Sequence, residues 1–241
     1  MSKSNNKNAI LVLESPWKLD DHDAHRSSVL PFVQGIAKMH GNTEVYCLNF
    51  YNKSSFDLAL ECLCRQKFDN TIVYVAAHGS KTHIGDVSLK HILYRINENS
   101  RKFNIKGLML GSCFAGSKTH LLEALTEDSK LTWCAAYSSS CYWLPGTMLD
   151  CALIHSALNI QDAAYKTHEE MQKAFAQAVA PFAPNGIIGT DSKDQFVPLS
   201  DSLQIVIQPE GRGFRARLSS EDIFERAEDH RYSEEEAEEA V

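Results

Sequence analysis

Apolar residues in this chain fall in short dense runs, and the runs are separated by stretches with helical spacing. Residues 8–14 (Asn-Ala-Ile-Leu-Val-Leu-Glu) predict a short buried strand, followed by a polar loop with Asp20, Asp21 and Asp23. Residues 28–40 carry Val29, Leu30, Val33, Ile36, Ala37 and Met39 close to a helical period, with Gly41 as the stop. Residues 44–51 alternate and predict a second strand; Ser54 and Ser55 then cap a helix through Phe56, Leu60, Leu63 and Cys64. A third strand, 71–77, ends at His78. A helix at 87–101 buries Val87, Leu89, Ile92, Leu93 and Ile96, and a fourth strand at 105–111 leads to Cys113. A short helix at 119–125, a fifth strand at 131–137, and helices at 146–158 and 163–179 follow. Residues 186–189 predict one more strand and 196–199 a short extended piece.

Strands alternate with helices at short spacing, and most strands are near-continuous apolar runs. That pattern predicts an α/β fold with a mainly parallel sheet covered by helices on both faces. Ligands in such sheets bind at the carboxyl ends of the strands. His78 and Cys113 both fall at that end, on strands consecutive in sequence. Past Pro198 the pattern changes. Residues 203–208 and 214–218 flank Pro-Glu-Gly-Arg-Gly and predict a β-hairpin. From 219 the chain starts helical and becomes a Glu-rich solvated tail. The expected organisation is a main domain at 1–200, a hairpin extension at 201–218 and an acidic, partly disordered tail at 219–241.

Charge narrows the partners. The 241 residues carry a net charge of -7, with 24 Lys+Arg and 31 Asp+Glu. Ten acids and two arginines lie in the tail, so the body is close to neutral, with 21 acids and 22 bases. No basic excess points to nucleic acid. No apolar run reaches membrane-spanning length, and the polar first eight residues lack a signal-peptide core. Seven cysteines, an odd count with several inside apolar runs, fit reduced thiols in the cytoplasm.

The chemistry concentrates at two strand ends. A cysteine is a nucleophile only as thiolate, so Cys113 needs a base, and His78 is placed to supply one. Gly79 has no side chain, so its N–H, with that of Cys113, can approach a developing oxyanion. Gly111, Ser112, Ala115 and Gly116 leave room for a peptide over the site. Taken singly, a strand-end His or Cys more often just packs; their joint placement is what points to acyl transfer. Other residues carry less. His83 and His91 match no metal-ligand spacing, and Cys62 and Cys64, two apart on a helix, face different ways. Residues 111–116 lack the Lys-Ser/Thr ending of a phosphate loop, so neither metal nor cofactor is expected.

The segments Val75-Ala76-Ala77-His78-Gly79-Ser80 and Leu110-Gly111-Ser112-Cys113-Phe114-Ala115-Gly116 resemble those of the caspase-like superfamily of cysteine peptidases, clan CD, which includes caspases, metacaspases, separase, gingipain and bacterial CHAT proteases. The resemblance covers about residues 8–200 and implies a caspase-like three-layer sandwich. It implies His78 and Cys113 as the catalytic dyad and Gly79 as the oxyanion glycine. Residues 133–148 are similar to the caspase segment that builds the primary specificity pocket, which implies substrate contacts from Ser112, Ser138, Tyr142, Trp143 and Leu144. Two charged selectors are missing. Leu144 stands where caspases have Arg after the tryptophan, and Gly111 where metacaspases have an acid. A neutral or apolar P1 residue is therefore expected, although Trp143 serves a core equally well. The resemblance further implies a protein substrate, a separate activating protein, and a setting in bacterial antiviral defence or regulated cell death. Two other readings stay open: a catalytically silent binding module, and an amidohydrolase or acyltransferase using the same dyad on a small molecule.

Overall fold

The computed structural model describes residues 7–16, 28–127, 129–211 and 213–239, with side chains to residue 230. The loop of Asp20, Asp21 and Asp23 and the first six residues lie outside the described residues. In chain order the elements are β1 (Asn8–Glu14), α1 (Leu30–His40), β2 (Thr43–Asn49), α2 (Lys53–Leu63), β3 (Asn70–Ala76), β4 (His83–Ile84), β5 (Val87–Ser88), α3 (Leu89–Phe103), β6 (Ile105–Gly111), α4 (Thr119–Glu127) and β7 (Trp133–Tyr137). Then come α5 (Trp143–Asn159), a 3-10 turn (Ala164–Lys166), α6 (His168–Val179), β8 (Ile187–Thr190), β9 (Phe196–Pro198), α7 (Leu199–Ser202), β10 (Leu203–Ile207), β11 (Arg217–Leu218) and α8 (Ser220–Glu239).

The main sheet has seven strands in the order β11-β10-β7-β6-β3-β1-β2. The five from β2 to β7 run parallel, β10 runs antiparallel to β7, and β11 runs antiparallel to β10. Side chains alternate along β3: Ile72, Tyr74 and Ala76 face a layer formed by α1, α5, α6 and α8, while Val73, Val75 and, just past the strand, Ala77 face α2, α3 and α4. Every residue of β3 is buried, and from Ile72 to Ala76 its sequence is an unbroken apolar run, as a strand covered on both faces requires. The protein is thus an α/β three-layer sandwich around a mainly parallel sheet. Among the described residues no helix is long and apolar enough to cross a membrane.

Local chemistry moved several boundaries. Asn52, not Ser54 or Ser55, caps α2; Ser55 closes the capping box back onto it. Val87 and Ser88 pair with β4, so α3 begins at Leu89 with Ser88 as its cap. Thr167 caps α6 and splits the single helix expected at 163–179. Residues 201–218 are not an extension: β10 pairs antiparallel with β7 from Leu203↔Tyr137 to Ile207↔Trp133 and completes the sheet. Its Leu203, Ile205, Val206 and Ile207 are all fully buried. Each such side chain contributes about 1.5–3 kcal/mol, more than an isolated hairpin secures. The expected hairpin survives only as two pairs between β10 and β11. Beyond it, α8 runs unbroken to Glu239 and packs on α6 through Ile223, Phe224 and Ala227.

Candidate active site

β3 and β6 are parallel neighbours, with Ala76 opposite Gly111 at their ends. The chain therefore leaves both strands at one sheet edge, into Ala77-His78-Gly79 and Ser112-Cys113. The first exit is stapled by the β4–β5 hairpin: Gly85 N–H donates to the His78 carbonyl (2.7 Å) and Ser80 N–H to that of His83 (2.8 Å). The second is clamped by the segment after β7, where Phe114 N–H donates to the Ser139 carbonyl (2.8 Å) and Gly116 N–H to that of Tyr137 (2.7 Å). Phe114 holds a φ of 60°, a left-handed turn that a bulky residue adopts only under constraint.

The two exits touch. A Cβ placed on Gly79 would stand 2.3 Å from the carbonyl oxygen of Cys113 and 2.9 Å from its nitrogen. Only glycine fits there. Among the described residues, neither Gly79 N–H nor Cys113 N–H has a backbone acceptor. The half-buried Cys113 Sγ accepts a hydrogen bond from Cys141 N–H at 3.3 Å. A thiol, an imidazole and two uncommitted N–H groups on one edge are the parts an acyl transfer needs.

Beside them lies a cavity of about 400 Å³ between the sheet edge and the first turns of α1 and α5, with both His78 and Cys113 in its wall. A buried carboxylate is among its lining groups. Asp150, on α5, is 2% exposed and accepts from Tyr74 Oη and Tyr137 Oη, each at 2.6 Å, on separate oxygens. Burial pushes its pKa up to about 7, and it pushes both tyrosines well above their ordinary range. A second carboxylate, Glu14 at the end of β1, accepts from Ser28 Oγ (3.0 Å) and Val29 N–H (2.5 Å). Among the described residues no lysine or arginine lines the cavity.

No protein-family model matches the chain, and no curated protein matches it by sequence. Among solved structures it is similar to the complex of the pro- and mature domains of RgpB from Porphyromonas gingivalis, with a TM-score of 0.43 and 10% identity over 73% of this chain and 44% of that one. It is also similar to the Drosophila initiator caspase Dronc, with a TM-score of 0.46 and 11% identity over 83% of this chain and 79% of that one. The chain thus spans less than half the length of the first of these.

Of the residues singled out in the sequence, His78, Ser112, Cys113, Tyr142 and Trp143 line the cavity. Ser112 is buried, and its hydroxyl has no partner among the described residues. Trp143 also packs edge-on against Phe32, ring centres 5.7 Å apart. Ser138 and Leu144 are not in the wall. Ser138 donates its N–H to Ser202 and its hydroxyl to Asp201, and Leu144 is 51% exposed. His91 is spent on Asp57 at 2.8 Å. Among the described residues no group of three or more His, Cys, Asp or Glu could hold a metal ion. The sequence reading missed Asp150, Tyr74, Tyr137, Glu14 and Cys141. A signal existed for Asp150: an acid set in the apolar stretch Leu149-Asp150-Cys151-Ala152-Leu153-Ile154 needs a buried partner or a task.

Proposed function

We propose that the protein is a cysteine endopeptidase that uses Cys113 as nucleophile and His78 as base. The backbone contact between Gly79 and Cys113 carries this reading, because it ties the imidazole strand and the thiol strand to one cavity mouth. His78 takes the thiol proton, and the Cys113 sulfur attacks the carbonyl carbon of the scissile peptide. The resulting oxyanion meets the N–H groups of Gly79 and Cys113. The imidazolium then protonates the leaving amine as the C–N bond breaks, leaving a thioester on Cys113. Water, deprotonated by His78, cleaves the thioester and frees the acid and the thiol. Each oxyanion donor of this kind supports roughly a 10²–10³-fold rate gain. The partner this chemistry implies is a protein substrate.

Substitutions test the pair. Cys113→Ala and His78→Ala are each expected to lower peptide cleavage by at least about 10³-fold while urea midpoints stay close to wild type. A peptide bearing a thiol-reactive group is expected to label Cys113 ahead of the six other thiols, which are also free. Burial holds Cys47, Cys64 and Cys151 high, at about 12, 11 and 12, and out of competition. Undiminished cleavage by Cys113→Ala would remove the mechanism.

A further inference from the structure

Asp150 is a carboxylate with almost no exposure and no cationic partner among the described residues. Buried acids are rare unless paired, because desolvation costs several kcal/mol. Among the described residues the groups bound to it are the two tyrosine hydroxyls, which are neutral. A carboxylate has about four lone-pair directions, and the tyrosines take one on each oxygen, so acceptor capacity remains. The group borders the cavity that holds Cys113. Its position is specific. A Cβ built on Gly111, two residues before the nucleophile, would meet Asp150 Oδ2 at 2.6 Å. The Asp150 carboxylate, from α5, takes the space that a side chain at position 111 would need. Glu14 adds a second carboxylate to the wall, bound by neutral donors from Ser28 and Val29. Ser112, also in the wall, has a hydroxyl with no partner among the described residues and is 2% exposed.

We propose that this cavity is a binding pocket for a cationic side chain, lysine or arginine, with Asp150 as the residue that determines specificity. Resting on the peptidase reading above, that side chain is the P1 residue, in place of the neutral or apolar one expected from Leu144 and Gly111. The volume suits it: about 400 Å³ is within the range of cavities that enclose a small ligand. Val29, Tyr142 and Trp143 offer apolar wall for the methylene stem, and the head reaches the carboxylate. An apolar side chain would instead seal Asp150 from water and supply no charge in return. Burial raises the pKa of Asp150, and an incoming cation would lower it.

The test runs on the wild-type protein. A peptide series differing only at P1 is expected to show kcat/KM roughly 10²-fold higher for arginine than for its neutral isostere citrulline. In Asp150→Asn that ratio is expected to fall to near one. For wild type the ratio is expected to rise with pH as Asp150 ionises; Tyr74, Tyr137, Cys141, Cys151, Glu14, Cys113 and His78 also face the region, and the last two act on both substrates alike. Independently of cleavage, n-butylguanidinium is expected to raise the melting temperature where n-butylurea does not. Preferred cleavage after neutral residues would overturn the pocket assignment and leave the peptidase reading intact. Guanidinium binding that depends on Asp150, with no peptide cleaved, would do the reverse. Neither cleavage nor binding would remove both. If Asp150→Asn does not fold, the two wild-type comparisons still decide.

Discussion

Gly79 sits so close to Cys113 that one methyl group cannot be added in place. The atoms it would strike, the Cys113 oxygen at 2.3 Å and nitrogen at 2.9 Å, belong to backbone and cannot rotate away. Gly79→Ala is expected to cost about 1–3 kcal/mol of stability and, by moving the oxyanion donor proposed above, to lower kcat by about 10²-fold. Gly35 is the matched control. It is exposed on α1 with nothing within 4 Å of its would-be Cβ, so Gly35→Ala is expected to stabilise by about 0.5–1 kcal/mol. Equal urea midpoints for the two variants would show that the strands do not meet as described. At this scale part of the site is legible in sequence, since apolar runs that end on His-Gly and Ser-Cys mark strand ends directly. Asp150 is not, because its meaning depends on Tyr137 and Tyr74, which lie 13 and 76 residues away in sequence.

Among the elements, the parallel strands and their helices could be read from periodicity; for β10 and the start of α8 the periodicity gave the element but not the surface it packs on. A strand's own alternation says that it is buried, not which neighbour buries it. The partner of β10 is β7, far earlier in the chain and running the other way. The same holds for α8. Its acid content predicts a solvated tail, yet Ile223 and Ala227, one turn apart, are both fully buried against the α6 layer. Asp222 anchors the approach by accepting from Gln172 Nε2 at 2.6 Å. Ile223→Ala is expected to destabilise the whole fold by about 2–4 kcal/mol, and Glu228→Ala, on the exposed side, by less than about 0.5 kcal/mol. Urea unfolding of both variants checks this; a cost for Ile223→Ala no larger than for Glu228→Ala would make α8 an appendage to the sandwich.

For the molecule as a whole, the buried acid lining the cavity ties folding to pH. In the folded chain Asp150 titrates near 7, and in the unfolded chain near the ordinary 3.8 of the free side chain. Between those values the folded state holds the extra proton, so stability is full below about pH 4 and is lost as pH rises through 7. The loss approaches about 1.4 kcal/mol per pH unit at most, reduced by any water that reaches the cavity. Asp150→Asn removes the titration and can still be satisfied. Its amide oxygen can accept from one tyrosine, and its NH₂ can donate to Tyr137, whose hydroxyl has the Gly146 carbonyl as an alternative acceptor at 3.2 Å. Subtracting the variant's urea-unfolding profile from that of wild type isolates Asp150 from whatever else the two proteins share. The difference is expected to favour the variant increasingly from pH 5 to pH 8. A bound alkylguanidinium should close that gap in the wild-type protein, because it supplies the missing counter-charge. A flat difference profile would mean that Asp150 stays ionised throughout, held by the two tyrosines alone.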